Sequence, residues 1–156
     1  STLFPYTTLF RSPYRLALTP DRNYQAVVTS VQNFEPAGEQ KLSTPVAVLI
    51  NEEAQSASEH SVLHIKSAAP DRVVLIGSPT AGANGVITYV RLPGNVTSTF
   101  SGMGIAWPDG TQLQRRGIQP DLYVAPTVAG IRDGRDEVLE YAVAELRKRA
   151  SASASR

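Results

Sequence analysis

Residues 45–77 constrain the fold of this chain more tightly than any other stretch. Val46-Ala47-Val48-Leu49-Ile50 is a short apolar run rich in β-branched residues, and a mostly small and polar segment follows it as far as Ser58. Val62, Leu63, Ile65 and Ala69 then form an apolar stripe at helical spacing until Pro70 stops it, and Val73-Val74-Leu75-Ile76 makes a second apolar run. Runs without polar alternation belong in a sheet covered on both faces. Two of them joined through a helix in about 30 residues define a βαβ unit, with parallel strands that are neighbours or nearly so. The expectation is an α/β fold with a helix over 56–69.

Composition narrows the function classes. The 156 residues are 42% hydrophobic and 19% charged, which suits one globular domain. A formal net charge of +1 gives no electrostatic case for nucleic acid, and no apolar run is long enough to span a bilayer. With no cysteine and only His60 and His64, neither a thiolate nor a histidine-based metal site is expected, and no cofactor is implied.

Along the rest of the chain, residues 1–12 fit neither a helical nor a strand period. The string from Leu3 to Ser12 resembles translated sequencing-adapter read-through, so 1–12 reads as a non-native or disordered arm. Residues 13–44, proline-spaced and polar, read as a surface connection with one strand or short helix around 24–31 and a loop at Glu35-Pro36-Ala37-Gly38-Glu39. After the second apolar run comes Gly77-Ser78-Pro79-Thr80-Ala81-Gly82-Ala83-Asn84-Gly85, whose glycines permit close backbone approach but match no nucleotide fingerprint. Short strands over 86–92, 96–100 and 102–107, punctuated by Pro93-Gly94-Asn95 and Pro108-Asp109-Gly110, predict an antiparallel meander. Trp107 reads as packing, and Arg115 and Arg116 as a solvated pair. Val138, Leu139, Ala142, Val143 and Leu146 recur at helical spacing, with Asp133, Asp136 and Glu137 before them and Arg147, Lys148 and Arg149 after, as the helix dipole favours. That is a packing helix, and 148–156 reads as a disordered tail.

The chemistry concentrates at the first strand-to-helix junction. A side chain at such a turn is exposed at the sheet edge, and the first N–H groups of the helix lack intrahelical partners and can face a developing anion. Ser56 is thus a candidate nucleophile for acyl transfer. Ser56-Ala57-Ser58-Glu59 also spells a capping box, in which the serine and Glu59 only satisfy the helix start. Both readings stand on these residues alone.

The ordered combination is more specific. Gln55-Ser56-Ala57-Ser58-Glu59, Gly77-Ser78-Pro79-Thr80-Ala81-Gly82-Ala83 and Gly117-Ile118-Gln119-Pro120-Asp121, in this order around a βαβ unit and before a packing helix, resemble the C-terminal processing peptidase family, the tail-specific serine proteases and their tricorn-like relatives. The similarity covers roughly residues 45–146. It implies a ClpP/crotonase-like core and makes 45–147 the C-terminal part of a serine peptidase catalytic domain. Ser56 then matches the nucleophile, the Ala57 N–H one oxyanion-hole donor, and Gly82, Ala83 and Asn84 the loop beside the substrate. The family's second oxyanion donor, a glycine earlier in the chain, has no counterpart here. Processing proteases carry a lysine base in the glycine-rich loop, where this sequence has Ala83-Asn84. Tricorn-like members use a histidine upstream of the nucleophile strand, which neither His60 nor His64 matches, so the base is expected in sequence preceding this chain. Gln114 stands where the tricorn-like pattern has an acidic residue and can orient a partner. Glu59 and His60 are further supporting candidates, and Asp121 reads as structural.

The resemblance implies a peptide or protein substrate, is compatible with a homo-oligomer, and suggests a periplasmic or other extracytoplasmic location. A truncated core of this kind is expected to hydrolyse little. Two other readings use the same residues: a non-catalytic relative that grips extended peptides along a sheet edge, and a crotonase-like acyl-CoA enzyme, against which stands the lack of a matched carboxylate pair and of a basic CoA pocket.

Overall fold

The expected βαβ unit organises the molecule. In the computed structural model, which describes residues 11–20, 27–33, 44–107 and 109–154, β3 (Val46–Ile50) and β4 (Val73–Gly77) are parallel neighbours in register Val46 to Val73 through Ile50 to Gly77, joined by α1 (Ala57–Ala68). The chain reaches them through β1 (Arg11–Pro20) and β2 (Val27–Asn33). It continues as β5 (Ile87–Leu92), β6 (Val96–Ser101), β7 (Gly104–Ala106), β8 (Leu122–Tyr123), α2 (Val128–Arg132) and α3 (Glu137–Ala154). β8 adds to β4 in parallel, giving a sheet in the order β3-β4-β8.

All five residues of β4 are buried, as an unalternating apolar run requires. Successive side chains point to opposite faces. Val73 and Leu75 join Ile50, Val62, Leu63, Ile105, Leu113 and Ile118 in one cluster under α1. Val74 and Ile76 meet Ala142 of α3, with Ala47, Leu122, Val124 and Val138 beside them. The helices thus cover the two faces of a thin parallel sheet, and Trp107 packs against the first cluster, as its packing reading expects.

Three expectations need revision. The stretch read as a surface connection with one strand or short helix around 24–31 supplies two strands, β2 over most of that span and β1 before it, which pair antiparallel with register shifts between Arg11 and Arg15 and between Leu18 and Pro20. Pro13 and Pro20 sit at those irregularities, where a strand tolerates residues without an N–H. The antiparallel meander is only a hairpin. β5 and β6 pair from Ile87–Ser101 to Leu92–Val96 around the expected turn, but β7 leaves them to pair with β1. The chain turns away after Gly102, and the change of sheet lets Ile105 bury its side chain in the cluster under α1. α3 runs on to Ala154, beyond the point where a disordered tail was expected, with the Ser151 hydroxyl bonded back to the Arg147 carbonyl. Residues 1–10 and the loop expected at 35–39 lie outside the described residues. No helix among the described residues is long and apolar enough to cross a membrane.

Candidate active site

Beyond the ends of β3 and β4 the two segments of the chain stay zipped together. The Ser78 N–H donates to the Ile50 carbonyl at 3.0 Å, the Ala81 N–H to the Ala54 carbonyl at 3.0 Å, and the Ser56 N–H to the Ala83 carbonyl at 3.0 Å. Parallel pairing therefore continues, less regularly, through the turn that carries Ser56. At that turn Ser56 adopts φ 52° and ψ −115°, a conformation costly for a residue with a Cβ, by about 1–3 kcal/mol. Its side chain is exposed and makes no capping hydrogen bond. The capping-box reading is overturned here, because the Ser56 N–H is committed to Ala83 and Glu59 points elsewhere. Ala57, also exposed, opens α1, and its N–H finds no backbone acceptor among the described residues.

Glu59 is completely buried, and three donors converge on its carboxylate. Oε1 accepts from the Thr80 hydroxyl at 2.5 Å and the Gly82 N–H at 2.7 Å, and Oε2 accepts from the Ala83 N–H at 3.1 Å. Thr80 also accepts the Ile118 N–H at 2.7 Å through its hydroxyl, while its own N–H donates to the Ile118 carbonyl at 3.1 Å. The Arg115 N–H donates to the Gly82 carbonyl at 2.7 Å. The glycine-rich loop is thus wedged between the Ser56 turn and the 113–118 turn. Only glycine fits the wedge at Gly82 (φ 65°), where a Cβ would lie 2.6 Å from the Gly117 nitrogen, and at Gly117 (φ 70°), where it would lie 2.1 Å from the Thr80 carbonyl oxygen.

Among the residues expected at the site, Ser56, Glu59, Gly82 and Ala83 form one hydrogen-bonded unit, and Ala57 adjoins it as the residue after Ser56. Gln114 is attached to it through its neighbour Arg115, but its own Nε2 donates to the Met103 carbonyl at 2.9 Å. Asn84 is 4% exposed, and Ala83 is the exposed member of the loop trio. His60, one turn after Ser56, lies edge-on to His64 with ring centroids 4.8 Å apart. Burial lowers the pKa of both histidines, and the charge of His60 lowers that of His64 further. Among the described residues no group of three or more His, Asp or Glu could hold a metal ion. A cavity of about 320 Å³ opens at the carboxyl ends of β3, β4 and β8, between Leu49, Glu52, Ser78, Val124, Asp136 and Val138. Ser56 does not line it.

Thr80 belongs to the site, and the local sequence carries no signal for it. A hydroxyl in a loop of Gly, Ala and Pro looks like turn chemistry, and only the fold shows that it links two turns. Asp121, which reads as structural in the sequence, has its carboxylate tied to the sheet and to α1. It accepts the Leu75 N–H at 2.8 Å and the Lys66 ammonium at 2.7 Å, and Lys66 also donates to the Val73 carbonyl at 2.8 Å.

The mixed α/β fold is similar to that of solved peptidase structures. A candidate peptidase from Parabacteroides merdae superposes with a TM-score of 0.73 at 23% identity, over 90% of this chain and 45% of that one. The photosystem II D1 C-terminal processing protease gives 0.55 at 22% identity, over 79% and 30%. Mature CPAF complexed with lactacystin gives 0.61 at 25% identity, over 78% and 23%. The sequence profile of peptidase family S41 matches residues 7–124, and the chain belongs to that family. A Chlamydia trachomatis protein is 28% identical over 113 residues, which is 70% of this chain and 18% of that protein. The chain therefore spans less than half the length of these relatives.

Proposed function

We propose that this chain carries the nucleophile of a serine-type endopeptidase, within a ClpP/crotonase-like catalytic domain of the tail-specific, tricorn-like branch of the family. One observation carries the reading: Ser56 is exposed, uncapped and held at a costly backbone angle at the start of α1, beside the open N–H of Ala57. In this reaction the Ser56 Oγ attacks the carbonyl of a peptide bond and its proton passes to a general base. The Ala57 N–H stabilises the oxyanion, and the amine leaves with a proton as the Ser56 ester forms. Water then hydrolyses the ester. We place the general base upstream of the nucleophile strand, as the family resemblance implies, because Ala83-Asn84 stands where processing proteases carry the loop lysine. A fluorophosphonate that labels Ser56 in the full-length protein, and fails to label Ser56→Ala, supports the reading. Absence of labelling in the full-length protein overturns it. The isolated 156-residue chain is expected to label slowly.

A second reading, a non-catalytic peptide-binding relative, draws on Gln114. Its amide stands where the tricorn-like pattern has a carboxylate, and it is spent on the Met103 carbonyl. Peptide affinity unaltered by Ser56→Ala, with no turnover by the full-length protein, favours this alternative.

A further inference from the structure

We infer that Glu59 is the positioning residue of this site: acting through residues 80–83, its buried carboxylate sets the backbone of Ser56 and with it the reactivity of the hydroxyl. The inference rests on the reading of Ser56 as nucleophile. A carboxylate without solvent is costly to bury unless its lone pairs are used. Glu59 meets that condition with three donors, none from its own helix, and with no ion pair among the described residues. A residue needed only to fill space under α1 would be apolar.

The bonds have a direction. Ala83 gives its N–H to Glu59 and its carbonyl to the Ser56 N–H, so the residue that fixes Ser56 is itself fixed by the carboxylate. The Ser56 carbonyl is held from the other side by the His60 N–H at 3.0 Å. A strained backbone persists only where its surroundings over-determine it, and these bonds do so at Ser56. Thr80 extends the restraint, since it donates to Glu59 while accepting from Ile118, and so ties the Gln114 turn to the same anchor. Because every contact to Glu59 is a donor, an amide in its place sets a donor against a donor. With the Gln carbonyl kept toward Thr80 and Gly82, the mismatched group faces the Ala83 N–H.

The test compares Glu59→Gln, Thr80→Val and Thr80→Ser in the full-length protein by two measurements. Amide hydrogen exchange follows Ser56, Gly82 and Ala83 against the β3–β4 ladder, and the rate of fluorophosphonate labelling follows Ser56. Glu59→Gln is expected to cut protection of the Ser56 and Ala83 amides, and the labelling rate, by about tenfold or more while the ladder stays protected. Thr80→Val, which removes the hydroxyl, shifts both readouts in the same direction, and Thr80→Ser, which retains it, restores them. If Glu59→Gln does not fold, the Thr80 pair makes the comparison with the carboxylate in place. Ser56 protection and labelling within about twofold of native, or Ser56 loosening only in step with the ladder, overturns the inference. Failure of the native protein to label counts against Ser56 as nucleophile, and amide exchange then decides the positioning role by itself.

Discussion

At Ser56 the side chain and the backbone make opposite demands. The hydroxyl requires a Cβ, while φ 52° and ψ −115° suit a residue without one. Ser56→Ala keeps the strain, whereas Ser56→Gly relieves it at some cost in unfolded-chain entropy. Ser56→Gly should therefore be the more stable of the two by about 1 kcal/mol, read as a higher urea midpoint at equal slope, with neither variant labelled by a fluorophosphonate. Gly117→Ala should go the other way. A Cβ 2.1 Å from the Thr80 carbonyl oxygen, at φ 70°, leaves no room, and a loss of about 3 kcal/mol or more is expected. The histidines add a pH dependence. Burial holds the pKa of His60 and His64 below the ordinary value, so the unfolded chain binds protons more readily than the folded one. Their contribution is complete above pH of about 6.5 and is lost as pH falls toward the lowered folded values. Thermal melts from pH 7 to 5 should show a falling midpoint, with a shallower slope in His64→Gln.

Among the elements, those whose signal is local were legible in the sequence. β3, α1 and β4 announce themselves by periodicity and by Pro70, and the β5–β6 hairpin by Pro93-Gly94-Asn95, because each depends on residues close in the chain. β7 departs from the expected meander because its partner, β1, lies about ninety residues earlier, and no local pattern encodes that pairing. β1 itself was hidden by prolines that the strand accommodates at irregular positions. The site divides in the same way. Motif order pointed to Ser56, but its strained backbone and the partners of Glu59 arise from three turns meeting in space, and local sequence gives Glu59 an equally good role as a cap. The segment ending at Asp121 is likewise bound by distant contacts, to β4 through the Leu75 N–H and to α1 through Lys66. Asp121→Ala should cost about 2 kcal/mol, mostly from the bond to Leu75, since the ion pair is partly exposed and worth little. Asp121→Asn should cost less by keeping an acceptor for Leu75. Equal urea midpoints for these two variants would instead assign the stabilisation to the charge on Lys66.

In the whole molecule, β4 joins two apolar clusters that carry different duties. The α1 side contains Ile118, 1% exposed, whose N–H also anchors Thr80, while the α3 side contains Ile76, 0% exposed, in the other cluster. The two clusters share no side chain. Removing one methylene from each side tests whether the strand between them transmits strain. Ile118→Val and Ile76→Val should each cost about 0.5–1.5 kcal/mol. If the faces are energetically separate, the double variant loses the sum of the two within about 0.5 kcal/mol, measured by urea unfolding with unchanged slope. A coupling energy well above that limit would mean that β4 shifts as a body when either side loosens. Substitutions under α3 would then reach Ser56 through the zipped chain ends beyond the sheet, and Ile76→Val would slow labelling of Ser56. Independence predicts instead that Ile76→Val lowers stability and leaves the labelling rate as it was.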